Sequence, residues 1–226
     1  MSNYLFDPPA VVSVPVEGAA AGFPVRRILC VGRNYQAHRR EMGSDDRDPS
    51  FFFTKPADAI VQPGSDVAYP PRTDNLHHEI ELVVALKTGG SNVPVDKALD
   101  LILGYAVGVD MTRRDLQNAA KAKGQPWDSS KAFDASAPIS EIKPWNGPAP
   151  QGRISLSVNG AVRQDATLAD MIWNVAEIIS EASMLWTLAP GDLIYTGTPE
   201  GVGPLVRGDR VEGAVEGVGK LAFTVI

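Results

Sequence analysis

Cysteine is nearly absent from this sequence, since Cys30 is the only one among 226 residues. A single thiol excludes an internal disulfide framework and a CxxC metal site, and it is typical of proteins from a reducing compartment. The N-terminus also lacks the basic segment followed by an apolar segment that marks a secretory signal. We therefore expect a cytoplasmic protein without disulfides.

Positive charge and long apolar runs are scarce as well. The chain carries 21 Lys and Arg against 27 Asp and Glu, a net charge of −6, and it shows no basic stripe of the kind that binds nucleic acid. The longest apolar stretch of note, residues 101–109, has about half of the roughly 18 residues that span a bilayer. We predict no nucleic-acid partner and no membrane partner, and we interpret the stretch as a buried strand.

The order of strand, turn and helix signals predicts a mixed α/β, β-rich fold with few helices. Proline-rich residues 1–25 predict an extended N-terminal arm, followed by a compact domain over residues 26–226. The Asn159-Gly160 dipeptide predicts a type I′ hairpin turn. The predicted strands cover residues 27–31, 51–54, 79–86, 104–109, 154–158, 161–164, 192–195, 210–215 and 221–225. The predicted helices cover residues 35–42, 94–101, 112–123 with Thr112 as N-cap, and 168–185.

Carboxylates provide the first candidate site. Glu79 and Glu81 lie two residues apart in a β-rich run and so project from the same face of a strand. Asp110 ends the next apolar strand and would join them if the two strands are neighbours. Three oxygen anions without a thiolate indicate Mg²⁺, Mn²⁺ or Ca²⁺ rather than zinc. The alternative is that both glutamates face solvent and that Asp110 is an ordinary strand-end residue.

Histidines provide the second candidate site. His38 and Glu41 are three residues apart, so a helix would place the carboxylate beside the imidazole and allow the pair to activate a water. A solvated helix pair is the alternative. His77 and His78 precede the glutamates, and because they are consecutive in a strand, only one of them would point toward a site.

Two cations and one glycine-rich segment complete the residue-level survey. Lys131 and Arg114 would hold anions only if the fold brings them near the carboxylates. Residues 196–203 (TGTPEGVG) match neither the P-loop nor the dinucleotide-binding pattern, so we interpret them as a turn between strands.

Six sequence blocks together resemble the fumarylacetoacetate hydrolase family. They run in order from about residue 28 to the C-terminus and read CVGRNYQAHRREMG, FFFTKPADAI, HHEIELVVAL, GYAVGVDMTRRDLQ, GQPWDSSKAFD and GDLIYTGTPEGVGP. The resemblance implies a mixed β-roll domain and a homodimer. It also implies Mg²⁺ or Mn²⁺ bound by Glu79, Glu81 and Asp110, with His38 and Glu41 as the water-activating pair on a lid.

The resemblance also implies a reaction. Lys131 would add positive charge beside the reacting oxygens, and Arg114, Gln117 and Thr198 would hold substrate oxygens. Among small members of the family, the proline-rich arm and the FPVRRILCVGRNY segment most resemble bacterial enzymes that hydrolyse fumarylpyruvate, a 2,4-diketo acid, to fumarate and pyruvate in gentisate degradation. Acylpyruvase, oxaloacetate decarboxylase and dienoic diacid isomerase activities are alternatives, as is a non-catalytic protein that binds a metal and an oxalate-like ligand.

Overall fold

A computed structural model describes residues 4–35 and 51–226 of the chain. The helices of these ranges are few and short: α1 (Val95–Ala98), α2 (Arg114–Lys123), α3 (Asp128–Lys131) and α4 (Val175–Leu185). Single turns of 3₁₀ helix cover Ala57–Ala59, Leu99–Leu101 and Leu168–Asp170. None of the helices in the described ranges has the length and apolar character needed to cross a lipid bilayer.

Strands make up most of the regular structure. In chain order they are β1 (Ser13–Val14), β2 (Phe23–Pro24), β3 (Arg27–Gly32), β4 (Phe51–Lys55), β5 (Ile60–Val61), β6 (Leu76–His78), β7 (Ile80–Leu86), β8 (Ile102–Val109), β9 (Thr112–Arg113), β10 (Ala137–Pro138), β11 (Lys143–Pro144), β12 (Arg153–Val158), β13 (Ala161–Thr167), β14 (Asp192–Tyr195), β15 (Gly203–Leu205), β16 (Arg210–Val215) and β17 (Gly219–Thr224). The prediction of a mixed α/β, β-rich fold with few helices is confirmed.

A six-stranded sheet in the order β11-β8-β7-β14-β3-β4 forms the centre of the molecule. Its pairs are antiparallel except β14 and β3, which run parallel. A four-stranded antiparallel sheet, β13-β12-β16-β17, contributes to the same hydrophobic core. A three-stranded sheet, β15-β6-β9, is joined to the start of β7 through β6. The order in the central sheet places β7 and β8 side by side, which matters for the site.

The central strand β7 is buried on both faces. Leu82 and Val84 pack in the core that contains the four-stranded sheet, whereas Val83 and Ala85 pack in a second core with β14 and the N-terminal segment. This alternation is the two-residue period of a strand. The two sheets lie close together at Gly213 of β16, where an added Cβ would lie 2.4 Å from Ile80 Cδ1.

The N-terminal segment packs against the second core. β1 and β2 pair antiparallel, and the side chains of Val14 and Phe23 are buried among residues that include Leu193. The described part of the predicted arm therefore contains a small hairpin whose apolar side chains contact the main domain. The division of the chain at residue 25 stays a prediction.

Several predicted elements agree with the structure and others begin elsewhere. Asn159 and Gly160 have φ of 52° and 80°, as the predicted hairpin turn between β12 and β13 requires. The predicted helix 168–185 was too long: it begins at Val175, because Asn174 and Glu177 form a capping box that fixes its start. Of the predicted helix 35–42, residues 36–42 lie outside the described residues.

Thr112 is a further correction, because it does not cap α2. It lies in β9, and the helix begins at Arg114 after Arg113. The Thr112 hydroxyl instead accepts a hydrogen bond from Lys131 at 2.7 Å. The predicted end of this helix at Lys123 is confirmed. Gly124 follows it as the C-cap and adopts the left-handed conformation, with φ 62°.

Candidate active site

Three carboxylates meet at the ends of two neighbouring strands. β7 and β8 pair antiparallel with Ile80 opposite Val109, so Glu79, which precedes β7, lies beside Asp110, which follows β8. The Asp110 amide donates to the Glu79 carbonyl at 2.8 Å. Glu81 is the second residue of β7, and one oxygen of each carboxylate lies within 4.8 Å of the others. We call Glu79, Glu81 and Asp110 the carboxylate triad.

Glu79 differs slightly from the prediction, since it lies between β6 and β7 rather than within a strand. The side chains of Glu79 and Glu81 nevertheless share one site, as the two-residue spacing predicted. All three members of the carboxylate triad are buried, so the solvent-exposed alternative for the two glutamates is excluded.

Among the described residues, Glu81 is the triad member whose negative charge has the fewest neighbouring positive groups. Its side chain is 1 % exposed, and the one hydrogen bond found for it among the described residues comes from the Gly197 amide at 2.7 Å. Burial, and next the charges of Asp110 and Glu79, raise the pKa of the Glu81 carboxyl well above its usual range. An ionised Glu81 therefore requires an additional positive charge nearby.

Lys131, the last residue of α3, links two carboxylates of the triad. Its buried ammonium donates to Glu79 Oε2 at 2.7 Å, to Asp110 Oδ2 at 2.5 Å and to Thr112 Oγ1 at 2.7 Å. These contacts use all three of its hydrogens. Burial alone would lower the pKa of Lys131, but the charges of Asp110 and Glu79 outweigh burial and raise it. Lys131 is therefore a cation at neutral pH.

Arg114, in the first turn of α2, lies on the other side of Glu79. Its guanidinium pairs with Glu79 Oε1, donates to Gln117 Oε1 at 2.5 Å and reaches His77 Nδ1 at 3.4 Å. Because Arg114 donates to Nδ1, the His77 Nε2 hydrogen is left for Asn75 Oδ1 at 2.9 Å. Burial, followed by the charge of Arg114, lowers the pKa of His77 to about 4, so this imidazole is neutral.

Lys55 is a residue of the site that sequence reasoning missed. It ends β4, its side chain is fully buried, and its Nζ lies 2.8 Å from Asp110 Oδ1. It also donates to the Met111 carbonyl at 3.2 Å and to the carbonyl of Lys131. Asp110 is therefore held between two lysines. The only signal in the sequence was a lysine closing an aromatic strand, which is equally typical of a solvated strand end.

The triad lines a cavity, which we call the triad cavity. Apart from the triad, it is lined by Val31, Gly32, Arg33, Phe51, Phe53, Arg114, Gln117, Lys121, Trp127, Lys131 and Thr198. The Trp127 ring contacts Phe51 edge-on with the ring centroids 5.2 Å apart, and the Lys121 ammonium lies 5.1 Å from the centroid of the Trp127 ring. The cavity lining therefore combines carboxylates, cationic side chains and aromatic rings.

Most of the predicted site residues come together in this one place. Arg114, Gln117, Lys131 and Thr198 all line the triad cavity, whereas His38 and Glu41 lie outside the described residues. The predicted alternation of the two consecutive histidines is also seen, because His77 contacts Arg114 whereas His78 contacts Gln164. Gln164, from β13, is the second residue that sequence reasoning missed.

The donor set of the triad fits a hard divalent cation. Mg²⁺ and Mn²⁺ prefer oxygen ligands, and the triad supplies three carboxylates whose oxygens are close enough to share one ion. The raised pKa of the Glu81 carboxyl also favours a bound cation, because a dication would offset the repulsion from the neighbouring carboxylates. Zinc is a poorer match, because the group found among residues 4–35 and 51–226 contains no thiolate or imidazole.

Known proteins of one family are similar to this chain. The family model "Fumarylacetoacetate (FAA) hydrolase C-terminal" matches residues 27–226. A fumarylpyruvate hydrolase of Ralstonia is 50% identical over 179 residues, which are 79% of this chain and 93% of that protein. The mitochondrial oxaloacetate tautomerase FAHD1 of Mus musculus is 43% identical over 202 residues, covering 88% of this chain and 91% of that protein.

A solved structure matches almost the whole chain. The fumarylpyruvate hydrolase of Pseudomonas aeruginosa, crystallised in complex with Mn²⁺ and pyruvate, is 50% identical, superposes with a TM-score of 0.96, and the match covers 99% of each chain. Sequence and structure thus agree over the same residues, and the chain belongs to the fumarylacetoacetate hydrolase family.

Proposed function

We propose that this protein is a divalent-cation-dependent enzyme that hydrolyses the carbon–carbon bond of fumarylpyruvate, releasing fumarate and pyruvate. The observation that carries the proposal is the 50% identity, over 99% of both chains, to the Pseudomonas fumarylpyruvate hydrolase that binds Mn²⁺ and pyruvate. The buried carboxylate triad supports it, because a 2,4-diketo acid offers paired oxygens that a cation in that position would bind.

The carboxylate triad would hold Mg²⁺ or Mn²⁺. When bound, such a cation polarises carbonyl oxygens and stabilises negative charge that develops on them. The chain's own residues would then hold the ligands in place: Lys131 fixes one oxygen of Glu79 and one of Asp110, and Lys55 fixes the second oxygen of Asp110. Fixed ligands cost little rearrangement when charge develops, which favours the transition state.

Three residues of the triad cavity are suited to bind the substrate. Arg114 uses three of its five N–H hydrogens on Glu79, Gln117 and His77, so two remain for a substrate carboxylate. Gln117 and Thr198 line the same cavity and carry amide and hydroxyl hydrogens. Lys131, besides fixing the ligands, adds positive charge beside the oxygens that become anionic.

His38 and Glu41 remain the proposed water-activating pair. Arg33 precedes that segment and Phe51 follows it, and both line the triad cavity, which supports a place for the pair in this site. Glu41 would orient the imidazole, and His38 would remove a proton from the water that attacks the C4 carbonyl. The bond between C3 and C4 then breaks, and a proton at C3 completes pyruvate.

The proposal is tested by following the ultraviolet absorption of the enol of fumarylpyruvate with Mg²⁺, with Mn²⁺ and with a chelator. We expect a metal-dependent loss with stoichiometric fumarate and pyruvate, and slower loss with acetylpyruvate. His38→Ala should abolish hydrolysis while calorimetry shows nearly unchanged Mn²⁺ affinity, because water activation and metal binding use different residues. Glu81→Gln should lose both, so retained metal affinity would refute the ligand assignment.

Oxaloacetate chemistry is the second candidate, supported by the 43% identity to the mouse oxaloacetate tautomerase. Oxaloacetate should therefore be tested beside fumarylpyruvate, with its enol–keto exchange and its carbon dioxide release measured separately. Turnover of oxaloacetate without any cleavage of fumarylpyruvate would replace the hydrolase proposal. Binding of Mn²⁺ and oxalate without turnover of either compound would indicate a binding protein.

We further infer a setting for the reaction: gentisate degradation in the cytoplasm, with the enzyme as a homodimer that uses Mg²⁺. Fumarylpyruvate as substrate supports the pathway, and the single buried cysteine suits a reducing compartment. Light scattering coupled to size-exclusion chromatography would test the dimer, since one chain has a mass of 24.1 kDa. A single peak at that monomer mass would contradict it.

A further inference from the structure

Gln164 connects the four-stranded sheet to the triad cavity. β13 is exposed or half-buried at its other six positions, yet the Gln164 side chain is completely buried. Its Oε1 lies 3.1 Å from the Ile80 amide nitrogen and 2.9 Å from His78 Nδ1, and its Nε2 donates to Thr198 Oγ1 at 2.8 Å and to the Pro199 carbonyl at 2.9 Å. Two accepted and two donated bonds complete the capacity of a glutamine amide.

The orientation of this amide follows from its partners. The Ile80 N–H can only donate and the Pro199 carbonyl can only accept, so oxygen must face Ile80 and nitrogen must face Pro199. His78 Nδ1 must then carry a hydrogen and donate it to Gln164 Oε1. The Thr198 hydroxyl must likewise accept from Gln164 Nε2, which leaves its own hydrogen unused in this contact.

The free hydrogen of Thr198 is adjacent to the carboxylate triad. Thr198 lines the triad cavity, and the preceding Gly197 donates its amide to Glu81 at 2.7 Å. The same loop lies against β13, since a Cβ added to Gly201 would be 2.1 Å from the Arg163 carbonyl oxygen. Gln164 is therefore placed to hold this loop and to determine which way the hydroxyl of Thr198 donates.

We propose that Gln164 is a positioning residue: by donating to Thr198 it keeps that hydroxyl as a hydrogen-bond donor toward a substrate oxygen beside the triad. This inference rests on the proposed function, because it assumes that Thr198 binds the substrate. Gln164 transfers no proton, and its side-chain hydrogen bonds are to Ile80, His78, Thr198 and Pro199 rather than to the triad. Its role is to fix the direction of one hydrogen bond.

Gln164→Glu tests the direction of the bond at nearly constant shape. A carboxylate still accepts from Ile80 and His78, but it cannot donate to Thr198, whose hydroxyl would turn and donate to the carboxylate instead. We expect the KM for fumarylpyruvate to rise about tenfold, the typical effect of one lost hydrogen bond to a charged ligand. Gln151→Glu, the same change at an exposed position, is the matched control and should leave KM unchanged.

A double-mutant cycle separates positioning from general damage. Thr198→Val removes the hydroxyl and should raise KM by a similar factor, and adding Gln164→Glu should then cause no further rise, because both changes remove the same hydrogen bond. Losses that multiply in the double variant would overturn the inference. Calorimetry of pyruvate binding to the Mn²⁺-loaded protein measures affinities for the same four proteins without turnover. The result then does not depend on fumarylpyruvate being the correct substrate.

A spectroscopic measurement tests the amide orientation independently of any activity. In the wild-type protein, ¹⁵N–¹H spectra of the imidazole should show His78 as the neutral tautomer with its hydrogen on Nδ1. His78 with its hydrogen on Nε2 alone would contradict the orientation and overturn the inference even if the enzyme hydrolyses fumarylpyruvate. An enzyme that fails on fumarylpyruvate but shows the expected tautomer and cycle would refute only the proposed function.

Discussion

Replacing Glu81 with glutamine should stabilise the metal-free protein. Glu81 is buried beside two further carboxylates, and the pKa of its carboxyl is raised well above the ordinary value of 4.5. At pH 7 the folded state must therefore either take up a proton or keep an unfavourable charge. Because protonation at pH 7 remains open to the folded state, that cost cannot exceed about 3 kcal/mol, from roughly 1.4 kcal/mol for each pH unit above 4.5.

Glutamine should recover much of this cost, because its amide oxygen can still accept from Gly197 and its NH₂ can donate to a neighbouring carboxylate. We expect a gain of about 1–3 kcal/mol, or roughly 3–10 °C in the melting temperature of a chain of this size. Because the pKa of Glu81 is raised on folding, its cost to the free energy of unfolding is absent below about pH 4.5 and grows as the pH rises. The advantage of Glu81→Gln should therefore vanish near pH 4.5.

Divalent cations should reverse the order of stability. At one hundred times its dissociation constant a cation stabilises the wild-type protein by about 2.7 kcal/mol, whereas the variant should gain little. Thermal melts with chelator and with Mn²⁺ measure both effects, and Glu141→Gln, at an exposed glutamate, is the control. A metal-free variant that melts below the wild type, or one that keeps the full response to Mn²⁺, would refute the reasoning.

Three further predictions concern single side chains. Lys131→Met should cost about 3–5 kcal/mol without metal, because it leaves buried carboxylates uncompensated, and Mn²⁺ should restore part of the loss in thermal melts. Burial, and next the charges of Arg114 and Arg33, lower the pKa of Lys121 to about 8. Acetylation at pH 8 should therefore modify Lys121 faster than the exposed Lys123. Because Lys121 loses its proton more easily in the folded state, the free energy of unfolding should rise between pH 8 and 10.5. Equal rates by mass spectrometry would contradict that. Gly213→Ala should cost about 1–3 kcal/mol by crowding Ile80, and adding Ile80→Val should recover stability on denaturant titration.

Elements that depend on neighbouring residues in the sequence, such as turns and short apolar strands, were predicted correctly. The Asn159-Gly160 turn and the strand Asp192–Tyr195 are where the sequence indicated, because turn chemistry and a short apolar run determine them. The start of α4 was also encoded locally, in Asn174 and Glu177, but apolar residues from Leu168 onward have helical spacing and hid it. Thr112 failed as a cap for a different reason, since Lys131 binds its hydroxyl.

The missed members of the site depend on pairings between distant segments. Lys55 at the end of β4 contacts Asp110 after β8, and neither segment carries a sequence signal of the other. Gln164 is similar: nothing in the sequence of β13 indicates its partners, His78 and Thr198, which lie 86 and 34 residues away. Strand spacing and the family resemblance pointed to the triad, Lys131 and Arg114, whereas Lys55 and Gln164 required the structure.

The balance of charges around the triad explains why cation and substrate would bind together. With all three carboxylates ionised, their charge is balanced by the three cations that form ion pairs with the triad in the described part of the chain, Lys55, Lys131 and Arg114. A divalent cation would give it a charge of about +2, in a buried setting where charges are weakly screened. A dianion such as fumarylpyruvate restores neutrality, whereas a neutral ligand does not. The site therefore favours a dicarboxylate only after the cation is bound, and Lys121 at the cavity wall strengthens the same preference.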